Sequence, residues 1–325
     1  MRRQPAAAGT HPATAPRTGP PTVSVIVSTR DRPDDLARCL PTILENDYPN
    51  FELIVVDQST TEASERLVAA IDDPRLRYHR QRAAGKARGL NLALEHATGE
   101  IIALTDDDCT APSDWLRRVV DVLEEEPDAG VLFGTLAAAA HDASEEFIPT
   151  FEPRARRRLA GTVARAPGAG LGGNMAVRRS VFERVGGFDE CLGPGGRFRA
   201  SVDWDVAYRA LRAGFVVVQD PEDRVWHWGA RPYKDGSAQR LVRNYFYGIG
   251  AGLTKYARCG DAVAAYTLLR FCAKEIRSLG ANLLLRRRAT GAGHVWYMLL
   301  GAARALRQPV DRERMLFSSA KDSRP

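Results

Sequence analysis

Three consecutive carboxylates, Asp106, Asp107 and Asp108, close an apolar run, Ile101-Ile-Ala-Leu-Thr105, in this chain of 325 residues. Adjacent like charges repel, and hard oxygen donors of this kind are matched by a divalent cation such as Mg2+ or Mn2+. In an extended chain side chains alternate, so Asp106 and Asp108 would face one cation together while Asp107 faces the other way. The triplet also reads as a solvated acidic turn that caps a helix near Pro112. Other chemistries lack their residues. The turn Ser28-Thr-Arg-Asp-Arg-Pro33 has no glycine, so a dinucleotide fingerprint is absent where it would have to sit, and no G-x-x-x-x-G-K-[ST] loop is present to cradle ATP or GTP. No Ser-His-Asp or Cys-His arrangement is apparent.

The triplet needs a scaffold that delivers it to an edge. Val23-Ser-Val-Ile-Val-Ser28 and Phe51-Glu-Leu-Ile-Val-Val-Asp57 are apolar without clean alternation, the pattern of parallel strands covered on both faces. Between them Pro33 fits a first helical turn, Asp34 and Asp35 suit its positive end, and Leu36, Leu40, Ile43 and Leu44 form one stripe. A shorter helix with Leu67, Val68 and Ile71, a strand near 76–79 and a helix from about Lys86 to Ala97 lead to the strand that ends in the triplet. This alternation predicts a doubly wound α/β sheet, whose ligands gather at the carboxyl ends of the strands. Strands at 130–134, 174–177 and 215–219, a short helix with Phe182 and a helix at about 203–213 follow, separated by glycine-rich loops. Beyond Ser237 three amphipathic helices are expected, near 237–257, 261–286 and 292–306. The uncharged run 289–303 is shorter than the roughly 20 residues that span a bilayer and reads as a surface-lying helix.

Composition is that of a folded protein, 44% hydrophobic and 26% charged. The five cysteines include no C-x-x-C pair and are expected as free thiols of a reducing cytosol. Residues 1–21 read as a disordered tail without the apolar core of a secretory signal. The net charge of +6 conceals an asymmetry, because residues 229–325 hold 18 Lys and Arg against 6 Asp and Glu. A basic end of this kind meets nucleic acid, anionic lipid or a phosphorylated substrate; no nucleic-acid-binding motif accompanies it. The expectation is a cytoplasmic protein, peripheral on the inner face of an anionic membrane, with no nucleic-acid partner.

Several segments carry a family pattern in order: the run 23–33, Val55-Val-Asp-Gln-Ser59, Gly85-Lys-Ala-Arg-Gly-Leu-Asn91, Ala97-Thr-Gly-Glu100 through Asp108, Gly172-Gly-Asn-Met-Ala-Val177, Val185-Gly-Gly-Phe-Asp189, and Asp203-Trp-Asp205 to Arg209. Together, over about residues 22–229, they resemble family 2 glycosyltransferases of the GT-A fold. The resemblance implies a mixed sheet with a Rossmann-like nucleotide-sugar half at 22–110 and an acceptor half at 111–229, followed by a basic helical region at 230–325. It implies an inverting glycosyltransferase: a sugar passes in a single displacement from a nucleotide diphosphate sugar to a hydroxyl acceptor, lipid-linked or a saccharide, with Mg2+ or Mn2+ at the departing diphosphate. By residue match, Ser28, Arg30 and Asp57 would lie at the nucleotide, Lys86 and Arg88 at the diphosphate, and Asp106 at ribose and metal. Asp108 would be the main cation ligand and His227 a further one. Asp203 matches the catalytic base, although Val202 stands where relatives carry glutamate; Asp205 reads as structural. Asp203 as a helix cap and His227 as a ring packed between Trp226 and Trp228 are the plainer readings of the same residues. A nucleotidyltransferase of related fold and a non-catalytic nucleotide-sugar-binding scaffold are the alternatives for the chain.

Overall fold

The computed structural model describes residues 19–161, 163–284 and 291–318; nearly all of the expected tail at 1–21 lies outside them. The chain runs β1 (Val23–Thr29), α1 (Pro33–Leu44), β2 (Phe51–Asp57), α2 (Ala63–Ala69), β3 (Leu76–Arg80), α3 (Lys86–His96) and β4 (Ile101–Asp106). A two-residue β5 (Cys109–Thr110) follows, then α4 (Trp115–Glu125), β6 (Ala129–Ala138), β7 (Glu146–Phe147), β8 (Arg157–Leu159), β9 (Met175–Arg178), α5 (Arg179–Val185), α6 (Val202–Arg212) and β10 (Val216–His227). After β11 (Arg231–Pro232) come three long helices, α7 (Ser237–Arg258), α8 (Ala262–Leu284) and α9 (Gly291–Leu306), and a hairpin of β12 (Val310–Asp311) and β13 (Leu316–Phe317).

The main sheet has the order β3-β2-β1-β4-β9-β6-β10-β5, with β8 also pairing with β10. Strands β1 to β4 are mutually parallel, as the alternation predicts. β9 is antiparallel to both β4 and β6, which makes the sheet mixed. The inner parallel strands β1, β2 and β4 are largely apolar because alternate residues feed two cores, whereas the edge strand β3 is only partly buried. Val25, Val27, Leu53, Val55 and Ala103 enter one with Leu36 and Leu40 of α1 and Val119 of α4. Ile26, Ile54, Val56, Ile102 and Leu104 enter the other with Leu90 of α3 and Val206 of α6. β10 is longer than the expected 215–219: past a register shift between Gln219 and Arg224 it resumes pairing with β6 and carries Trp226 and His227 to the rim.

The expected break at 229/230 is not a break in packing. Tyr247, Ala251, Leu253 and Tyr256 of α7 share one core with Val202, Trp204 and Tyr208 of α6. The rings of Tyr208 and Tyr256 stack at 3.7 Å, and the buried Lys255 Nζ lies 2.7 Å from Asp189 and 2.5 Å from Asp205. α9 packs against α7 at glycine contacts: a Cβ at Gly301 would stand 2.1 Å from the Tyr247 carbonyl oxygen, and one at Gly250 2.0 Å from that of Met298. No helix among the described residues is long and apolar enough to cross a membrane. All five cysteines are free.

Candidate active site

A cavity of about 540 Å3 opens at the carboxyl ends of β1 and β4. Ser28 and Asp106 sit in register across those two strands. The strand stops at Asp106, and 107–108 form a turn, so strict alternation fails there and all three carboxylates border the cavity. Asp106 pairs with Lys86, the first residue of α3. Asp107 is buried, accepts a 2.7 Å bond from the Thr29 hydroxyl and meets Arg32 at 3.1 Å; burial, against the pull of Arg32, leaves its pKa raised to about 6. Asp108 is also buried and contacts Arg32 at 3.0 Å, Arg231 at 3.6 Å and His227 Nε2 at 3.3 Å. Burial opposes its charge, yet with His227 protonated the hydrogen bond from its Nε2, its charge and those of Arg32 and Arg231 hold the carboxyl well below the ordinary range. Lys86, Arg32 and Arg231 thus offset the triplet from within the protein. Like-charge repulsion alone therefore does not call for a metal.

The histidine does make a case for one. Antiparallel pairing sets His227 opposite Cys109, one residue past the triplet. Its Nδ1 lies 2.9 Å from the Pro149 carbonyl oxygen, an acceptor only, so Nδ1 carries the hydrogen. The Nε2 of the neutral ring then turns a lone pair toward a carboxylate oxygen. Two acceptors in that position need a proton or a metal ion between them, and a backbone-anchored imidazole beside a carboxylate is the usual donor set for one. Burial disfavours the charged ring, but Asp108 raises the His227 pKa above its ordinary value. A Cβ on Gly229 would stand 2.3 Å from Asp108 Oδ2 and 2.5 Å from His227 Nε2, so only glycine leaves this space open. Among the described residues, the donors that converge within 4.8 Å are Asp108, Cys109 and His227. Burial holds the Cys109 thiol well above its ordinary range, which keeps it protonated and a poor ligand for a hard cation. Asp106 lies outside this cluster, engaged by Lys86.

Asp203 lies in the first turn of α6 and borders the same cavity. It is not the cap: Ser201 holds that place in the left-handed region (φ 80°), two residues after Arg199 at φ 64°. Left-handed backbone at non-glycine residues costs about 1 kcal/mol each and tends to gather at functional sites. One Asp203 oxygen accepts the Gly172 N–H at 3.0 Å and the other the Trp204 N–H at 2.8 Å. Burial raises its pKa, while these N–H groups and Lys86 pull the other way. Val202, in place of the family's glutamate, puts an apolar side chain on the cavity wall.

Ser28, Arg30, Lys86, Asp106, Asp108, Asp203 and His227 all border this one cavity. Asp57 and Arg88 do not. Asp57 is fully buried at the end of β2, where it accepts the Tyr78 hydroxyl and the Ser59 N–H, each at 2.7 Å. Arg88 turns to Glu190 at 3.1 Å. The sequence reading missed Thr29, Arg32, Arg231 and Tyr245. Arg32 was legible in principle as the second arginine of the first turn; Tyr245 arrives on α7, and nothing local marks it.

Residues 24–186 match the family model described as glycosyl transferase family 2, which is half of the chain. Over 183 residues the chain is 30% identical to glucosyl-dolichyl phosphate glucuronosyltransferase of Haloferax volcanii, covering 53% of this chain and 57% of that protein. It is 28% identical over 211 residues to glycosyltransferase AglE of the same organism, covering 61% and 64%. The chain thus spans less than two thirds of either relative. Among solved structures, the mannosyltransferase PcManGT of Pyrobaculum calidifontis, in complex with GDP-Man and Mn2+, superposes with a TM-score of 0.61 at 24% identity over 89% of this chain and 88% of that one. TarS residues 1–349 of S. aureus, in complex with UDP-GlcNAc, gives 0.54 at 17% identity over 70% and 66%. With its mixed α/β sheet of GT-A type and the matched half of its length, the chain belongs to glycosyl transferase family 2.

Proposed function

We propose that this protein is an inverting glycosyltransferase that moves a sugar from a nucleotide diphosphate donor to a hydroxyl acceptor, with Asp203 as the base. The observation that carries the reading is one cavity bordered both by the cation-balanced acidic triplet and by a separate buried carboxylate with its own N–H donors. The acceptor hydroxyl gives its proton to Asp203 as its oxygen attacks the anomeric carbon. The bond to the diphosphate breaks with its electron pair on the leaving group, and displacement from the opposite face inverts the centre. Lys86, Arg32 and Arg231 supply fixed positive charge beside the leaving group. Asp108 and His227, with Asp106 nearby, would hold Mg2+ or Mn2+, which supplies Lewis-acid stabilisation of the departing diphosphate. The Mn2+ in PcManGT and the nucleotide sugars in PcManGT and TarS support this assignment. The acceptor is a saccharide or a lipid-linked alcohol, and the protein works at the cytoplasmic face of a membrane.

A panel of nucleotide sugars, screened for hydrolysis with and without Mn2+, tests the reading. Turnover of one donor should stop in excess chelator, return with Mn2+ or Mg2+, and fall by orders of magnitude in Asp108→Ala. Turnover that ignores the chelator removes the metal from the mechanism, and no turnover of any donor favours a binding scaffold.

A further inference from the structure

α8 and α9 form the outer layer of the C-terminal region, and each leaves one apolar stripe uncovered. On α8 the stripe is Val263, Tyr266, Leu269 and Ile276, which are 41%, 60%, 69% and 56% exposed. On α9 it is Trp296, Leu299 and Leu306, at 64%, 51% and 61%. The spacings of three and seven residues keep each set on one helical face. The opposite faces are accounted for: Ala264, Leu268 and Phe271 of α8, and Tyr297, Leu300 and Ala305 of α9, pack into the main core. Large residues exposed in rows on two adjoining helices mark a surface with a partner.

The charges around the stripes narrow what that partner is. Arg270, Lys274 and Arg277 are exposed on α8, as are Arg304 and Arg307 at the end of α9. The acidic side chain of α8 is Glu275, and it is occupied by His294 at 2.7 Å; α9 has none. A second copy docked face to face would set arginine against arginine, because a two-fold interface repeats the same patch on both sides. Nucleic acid would answer the charge but not the rows of Leu, Ile and Val. An anionic bilayer answers both, since the apolar side chains enter the acyl boundary while Arg and Lys lie along it with their heads at the lipid phosphates.

We propose that the α8–α9 face docks on an anionic membrane surface. α7, which carries this layer, also lends Leu241, Tyr245 and Ile249 to the wall of the catalytic cavity. The same helix therefore links the docked layer to the site where an acceptor must bind.

Co-sedimentation of the full chain with vesicles tests the surface, using phosphatidylcholine alone and phosphatidylcholine with phosphatidylglycerol. Binding should require the anionic lipid and weaken with salt. It should fall by about tenfold or more in R270E/K274E/R277E, and likewise in W296S/L299S; the replaced side chains are exposed, so the melting transition should stay at the wild-type temperature. Three results overturn the proposal: no binding to anionic vesicles at low salt, equal binding by either variant, or a concentration-dependent dimer abolished by W296S/L299S, which makes the face a self-association surface. Donor hydrolysis in lipid-free solution reads the transfer chemistry by itself, so the two can fail separately.

Discussion

At the scale of single residues, Asp203 carries the sharpest expectation. Asp203→Asn keeps the side chain's shape but removes its basicity, so transfer should fall by at least about a hundredfold, with donor affinity nearly unchanged when binding is measured separately. Wild-type transfer by this variant would move the role elsewhere. The pH profile adds a second check. Burial raises the Asp203 pKa, and a base works only when ionised, so kcat/KM should fall on the acid side with a midpoint above the ordinary aspartate value. A limb at or below that value would contradict the assignment. Asp106 and Asp108 were legible from the acidic run at a strand end, Asp203 and His227 from the family resemblance, and the four border one cavity. Asp57 and Arg88 were carried over by the same matching, yet they are engaged elsewhere. The competing partners, Tyr78 and Glu190, come from other segments and leave no local trace.

At the scale of elements, the strands and helices were readable from periodicity, but their partners were not. A continuous apolar run announces a strand covered on both faces; it does not say that β9 enters antiparallel between β4 and β6. Lys255 shows the same limit more severely. Within α7 it reads as another charge on a basic amphipathic helix, yet it is wholly buried, and its partners Asp205 and Asp189 lie 50 and 66 residues earlier. Arg209 completes the group, 2.9 Å from Asp205 and bonded to the carbonyls of Val185 and Gly187. This network clamps α7 to α6 and to the loop after α5. Lys255→Met should therefore destabilise the fold by about 3–5 kcal/mol, because it strands the buried Asp189 carboxylate without its cation and leaves Asp205 with Arg209 alone. The check is the denaturant midpoint at an unchanged m-value; a loss below about 1 kcal/mol would mean that the network does not hold the helices.

At the scale of the whole molecule, the basic C-terminal region was visible as charge, but charge and amphipathic spacing read alike whether a helix lies on lipid or packs in a core. The three helices divide between those fates. α7 is core, with Tyr247, Ala251, Leu253 and Tyr256 buried against α6, while α8 and α9 keep exposed apolar rows. A chain ending at Gly236 would thus lose more than an appendage. It would uncover Trp204 and Tyr208, leave Asp189 and Asp205 without Lys255, and open the cavity wall formed by Leu241, Tyr245 and Ile249. Losing several large buried side chains costs about 3–5 kcal/mol each, and a domain has only about 5–15 kcal/mol of stability to lose. Residues 1–236 alone should therefore show no cooperative thermal transition and no donor binding. A soluble fragment that melts cooperatively and binds a nucleotide sugar would show instead that residues 22–229 fold as a unit and that the helices are added to a finished domain.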